Sequence, residues 1–138
     1  MNLQNYPQYH LYLLTLNLLN LKEQIIPENC DEWCINATII NRAYYSSYLY
    51  CELWLKEIKN FKAKAPWEFD KNKKIMGEHK QVREALYKFG EEEAQQNLSD
   101  LASLRKKADY EPFTEISPKE LDDAIENMKE IFSQLEFQ

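Results

Sequence analysis

Glycine is scarce in this chain, with 2 among 138 residues, and proline numbers only 5. All-β sandwiches and barrels need such turn residues at short, regular intervals, so that architecture is excluded and long helices joined by brief loops are expected. Cysteine is present as Cys30, Cys34 and Cys51, an odd number that makes no disulfide framework. No second cysteine pair or histidine cluster completes a zinc-type spacing either. The thiols read as reduced packing residues, and neither a metal nor another cofactor is expected. A membrane-spanning run is also lacking. The most apolar stretch, Leu11 to Leu21, is interrupted by Thr15, Asn17 and Asn20 and is too short to cross a bilayer. The opening MNLQNYPQYH has no basic-then-apolar order of a secretion signal, so a cytoplasmic setting without a membrane partner is expected.

An excess of positive charge is missing too. The net charge of −6 argues against broad, nonspecific coating of nucleic acid. Its distribution is uneven, however. From Lys56 to Arg83 nine basic residues stand against four acidic ones, a local excess of +5 that leaves −11 for the remainder. Two readings stay open for this segment: a solvated lysine-rich linker, or a rim that faces phosphate.

With 44% hydrophobic residues and this length, the chain suits one domain over 1–138 with a single core that needs no staple. Asn36 to Ile58 is the stretch on which it is organised. One stripe at helical spacing runs through Ile35, Ile39, Arg42, Ser46, Leu49 and Leu53, and a second through Ile40, Tyr44, Ser47, Cys51, Trp54 and Ile58. Two adjacent apolar stripes predict a helix wrapped by partners, at the centre of a bundle. Arg42 interrupts the pattern. A guanidinium keeps its charge, so at that register it must meet a carboxylate, a carbonyl, a ligand phosphate or an assembly interface.

The other helices follow in order. The first is predicted over Tyr6–Gln24, with Tyr9, Leu13, Leu16, Leu19 and Ile25 toward the core, and Asp31 caps the central one, which extends to about Phe61. Lys62 to Gly77 keeps no period, contains Pro66 and forms the longest loop. A third helix spans Glu78 to Phe89 and stops at Gly90, and a fourth spans about Glu91 to Asp109, with an end near Tyr110 ahead of Pro112. Arg105 again occupies an apolar register there, with Asp109 one turn beyond it. Ser117-Pro118-Lys119-Glu120 is a helix-start signature, and Leu121, Ile125, Met128, Phe132 and Leu135 give the last helix one apolar face. The sum is an all-α antiparallel bundle of about five helices.

Arg42-Ala43-Tyr44-Tyr45-Ser46-Ser47-Tyr48, Gly77-Glu78-His79 and Leu104-Arg105-Lys106-Lys107-Ala108-Asp109-Tyr110, each in its helical setting, resemble the HEPN superfamily (higher eukaryotes and prokaryotes nucleotide-binding) over about Ile39 to Pro112. The resemblance implies an antiparallel helical bundle, commonly a homodimer. Many members are metal-independent endoribonucleases of toxin–antitoxin, CRISPR or phage-defence systems, and a nucleotidyltransferase-type antitoxin is an implied partner. Their catalytic signature is an arginine followed after four to six residues by a histidine. Arg105 matches the arginine, Tyr110 stands in place of the histidine, and Arg42 is followed by Leu49.

Metal-free RNA cleavage needs a base for the 2′-hydroxyl, an acid for the leaving oxygen and a cation for the phosphorane-like charge. Arginine meets the last need, whereas tyrosine, with a reference pKa of ~10, is a poor base at neutral pH. Under the enzymatic reading His79 is the base or acid, Arg42 and Arg105 hold the phosphate, and Tyr110 bonds the scissile group. Under a binding reading Arg42, Arg105, Asp109, Tyr45 and Lys106 contact RNA or a nucleotide. A third reading makes the chain a helical adaptor in which Arg42 and Asp109 are an ion pair between helices and the arginines only hold the fold.

Overall fold

Five helices form among the described residues, 3–111 and 115–137 of a computed structural model: α1 Pro7–Ile25, α2 Glu32–Lys59, α3 Glu78–Lys88, α4 Glu92–Tyr110 and α5 Pro118–Gln134. Single turns of 3-10 helix occupy Leu3–Asn5 and Pro66–Glu68. No strand is present among these residues, and none of the helices is long and apolar enough to cross a membrane. Pro112, expected to close the fourth helix, lies outside the described residues.

Local chemistry sets the helix ends. Asp31 Oδ1 accepts from Trp33 N at 3.0 Å, which satisfies one of the bare donors at the start of α2. At its other end Asn60 turns left-handed with φ 53°, and Phe61 N reaches back to Leu55 O at 3.0 Å. Gly90, with φ 84°, lets Glu91 N return to Leu86 O at 2.8 Å and folds α3 onto α4 as a hairpin. Ser117 and Glu120 exchange side-chain bonds of 3.1 and 3.0 Å as a capping box, and Lys107 Nζ reaches Glu120 Oε2 at 2.7 Å, tying α4 to the start of α5.

Helix α2 packs against all four others. Ile39, Ile40, Ala43, Tyr44, Tyr50, Cys51 and Leu55 are almost or wholly inaccessible, a run too dense for one face. Ser46 and Ser47 are buried as well. Their hydroxyls return to Ala43 O at 3.2 and 2.7 Å, so these small side chains fill core positions without an unmet donor. Leu98 and Leu101 of α4 and Leu121, Ala124, Ile125, Met128 and Ile131 of α5 complete the core. Truncating one such residue, as in Leu98→Ala, costs about 2–5 kcal/mol. Tyr50 OH donates to Leu135 O and Trp54 Nε1 to Glu136 O at 3.1 Å, fixing the end of α5 against α2.

Two expectations change at the periphery. Helix α1 lies on one side of the bundle and buries only Thr15 completely, while Leu13 and Ile25, assigned inward by spacing, are 43% and 45% exposed. Leucines surround so much of this helix that spacing alone does not select its inner face; Tyr12, Leu16 and Leu19 make the packing contacts. Ile58 and Cys34 are also exposed, one near the outer end of α2 and the other in its first turn, where neighbours run out.

Candidate phosphate-binding cavity

Arg105 projects from α4 toward α2 and the start of α3. Its Nε pairs with Asp109 Oδ2 at 3.1 Å along the helix, and its Nη2 donates to Tyr45 OH at 3.2 Å. The guanidinium carbon lies 5.4 Å from the ring centres of both Tyr44 and Tyr45 and 5.7 Å from that of Tyr110. Guanidinium has five N–H donors, of which two are thus used. The other three meet no protein acceptor among the described residues, and Nη1 is open to solvent.

Beside this group opens a cavity of about 420 Å³, lined by Tyr44 and Tyr45 of α2, His79 and Arg83 of α3, and Ser99, Ser103, Arg105 and Lys106 of α4. Three of these residues are cationic and none is a carboxylate. Asp109 pairs with Arg105 from outside the lining, and three cations with hydroxyls and no lining carboxylate make a concavity suited to an anion.

His79 stands at the opening turn of α3. Its ring stacks on Tyr48 at 4.0 Å between centroids and meets the edge of Tyr45 at 6.2 Å, while its Nδ1 bonds Tyr44 OH. Burial pushes its pKa below the ordinary imidazole value, and the charges of Arg105 and Arg83 push the same way against Glu78. Burial likewise raises Tyr44, so the phenol keeps its proton. The direction of the bond follows the tautomer: with the ring proton on Nε2 the phenol donates to Nδ1, and with it on Nδ1 the ring donates to the phenol oxygen.

Arg42 also lies against Tyr45, its guanidinium carbon 5.7 Å from the centre of that ring. It donates to Asn41 Oδ1, and Asn41 Nδ2 in turn donates to Asp109 at 3.0 and 3.3 Å. Among the described residues the ion-pair partner of Asp109 is Arg105, and Arg42 reaches it only through Asn41. Arg42, Asn41 and Asp109 line a separate cleft of about 610 Å³ with Trp33, Cys34 and Ala108.

Of the residues singled out from sequence, Arg105, Tyr45, His79 and Lys106 therefore share one cavity, and Arg42 and Asp109 share its neighbour. Tyr110 lines neither. It is 69% exposed and lies over the outer face of Arg105. Sequence reasoning passed over Asn41, Ser99, Ser103 and Arg83. The last had a signal: it follows His79 by four residues, on the same face of α3. The chain has only three arginines, and all three meet around Tyr45 and this cavity.

No group of acidic, histidine or cysteine side chains among the described residues is arranged to hold a metal ion. Comparison of the chain with protein-family models, with curated proteins and with solved structures gave no match.

Proposed function

We propose that this protein is an RNA- or nucleotide-binding helical module of HEPN type that holds a phosphate beside Arg105 and does not cleave it. The observation that carries this reading is the gathering of Arg105, Arg83 and Lys106 around one cavity with no lining carboxylate, where three N–H groups of Arg105 have no protein acceptor among the described residues. A phosphate oxygen pair supplies the acceptors these donors lack, in the parallel geometry a guanidinium prefers. The tyrosines add ring faces beside it, on which a base can stack.

Chemistry argues for retention over cleavage. With Tyr44 OH as the donor to Nδ1, the one imidazole in the cavity keeps an N–H at Nε2 and offers no free lone pair to a 2′-hydroxyl. Tyr110, in the position of the signature histidine, covers Arg105 from outside. Binding groups are thus present without a base and acid to flank them.

The test is titration of a labelled single-stranded RNA and of a 5′-mononucleotide against the full chain, wild type and Arg105→Ala, with the RNA run on a gel afterwards. The reading expects binding that weakens with salt, at least a tenfold loss in the variant, and intact RNA. Equal binding by both proteins, or none by the wild type, overturns it and leaves the helical adaptor. Cleavage that Arg105→Ala and His79→Ala both abolish restores the nuclease reading.

A further inference from the structure

Arg83 lines a second cavity on its other side. This one has a volume of about 800 Å³ and lies between the 62–77 segment and helices α3 and α4, a size common among sites for organic ligands. Phe61, Phe69 and Met76 supply apolar surface within it. Lys62, Lys64, Lys80 and Lys88 join Arg83 in lining it, against the single carboxylate of Glu84.

The segment that walls this cavity is built, not loose. Gln81, 9% exposed, donates through Nε2 to Lys64 O at 2.9 Å and Met76 O at 2.8 Å, and its Oε1 accepts from Lys64 N at 2.7 Å. One buried amide therefore clamps the loop at both ends against α3. Within the loop Glu68 accepts from Ala65 N at 2.6 Å, and Lys64 Nζ lies 5.9 Å from the centre of the Phe69 ring. Cations and aromatic faces are thus held side by side before any ligand arrives.

We propose that this cavity receives the nucleotide next to the one whose phosphate sits at Arg105, so that the ligand is a single-stranded RNA segment crossing Arg83 and not a free mononucleotide. The inference rests on the reading proposed above. Its own support is that Arg83 lines both cavities, together with the pairing of aromatic floor with lysine rim. A strand needs both, stacking for its bases and cations for its backbone. An acidic peptide would use the rim and leave the aromatic floor idle.

The closing experiment titrates the full chain with labelled octa-adenylate and with adenosine 5′-monophosphate. It compares wild type, Arg105→Ala, Phe69→Ala and a triple variant of the exposed lysines, Lys62→Ala/Lys64→Ala/Lys88→Ala. Phe69→Ala is expected to weaken the octamer about tenfold. The triple variant is expected to reduce the slope of log affinity against log salt by about 2, at about 0.7 for each lost phosphate contact. Neither should alter the monophosphate, which only Arg105→Ala abolishes. Wild-type octamer affinity and slope in both the Phe69 and lysine variants overturn this inference while the reading at Arg105 stands. Unchanged binding of both probes by Arg105→Ala overturns both.

Discussion

Arg42 and Arg105 both lie against the ring of Tyr45 and break the apolar pattern of their helices in the same way, yet their surroundings are unlike. Arg42 faces a cleft that contains Asp109, and Asn41 completes its link to that carboxylate. Arg105 touches the same carboxylate with one nitrogen, but the rest of its guanidinium faces Arg83 and Lys106. An arginine in an apolar register signals only that a partner is needed. Direct pairing does not separate the two in favour of Arg42, since Arg105 holds Asp109 itself and Arg42 reaches it only through Asn41. The contrast lies in the surrounding charge, with two further cations lining the cavity of Arg105 and the carboxylate of Asp109 lining the cleft of Arg42.

Substituting each arginine separately is the strongest way to break that contrast. Arg105→Ala is expected to lower affinity for single-stranded RNA at least tenfold, whereas Arg42→Ala keeps it within about threefold and lowers stability by about 1 kcal/mol. Anisotropy titration and urea unfolding measure the two effects. Equal losses of affinity would merge the two clefts into one site.

Asp109→Ala sharpens it from the opposite side. The change strips acceptors from Asn41 and Arg105 together and removes the local negative charge, so stability is expected to fall by about 1–3 kcal/mol while RNA binds more tightly. The urea midpoint should move with an unchanged slope, and a loss of affinity would make Asp109 a positioning residue for Arg105.

Acid should separate the cavity from the helix scaffold. His79 is held below its ordinary value of 6.5 by burial first and then by Arg105 and Arg83. A base with a depressed folded pKa contributes stability above its unfolded value and loses it as pH falls through the folded one. Thermal stability is therefore expected to decline from about pH 6.5 downward, and His79→Gln removes that phase. Glu120 is held below 4.5 by Lys107 foremost and by the Ser117 N–H, so its contribution lasts above 4.5 and fades only as pH falls further. A single acid phase that His79→Gln leaves unchanged would refute the assignment.

The scaffold was far more legible in the sequence than the cavity, for a physical reason. Caps and breakers act over a few residues, so Asp31, Gly90 and the Ser117–Glu120 box could be located by inspection. Spacing also identified α2 as the central helix, because its buried positions recur at helical intervals. It failed for α1, where leucines on several faces give no preferred side, and Leu13 and Ile25 were assigned inward although they are exposed. In the cavity, registers flagged Arg42 and Arg105, but their division between two clefts depends on Asn41, which sits beside Arg42 in sequence and opposite Asp109 in space. Arg83 had been counted within a lysine-rich stretch. The role of Gln81 as a clamp on the loop was equally invisible, since it joins residues 64 and 76 through backbone atoms that carry no sequence signal.

The smallest change tests the finest point. Tyr44→Phe keeps the ring that stacks near His79 and Arg105 and deletes only the hydroxyl bonded to Nδ1. The stability cost should be about 1 kcal/mol, the net worth of one such bond. Nitrogen NMR of the imidazole should report a proton fixed on Nε2 in the wild type and a mixture of tautomers in the variant. Burial and the charges of Arg105 and Arg83, which hold His79 below 6.5, are unchanged by this substitution, so His79 should still titrate below that value in the variant. If the wild type already carries its proton on Nδ1, then Nε2 is the free base, and the argument that this cavity binds phosphate without cutting it fails at that atom.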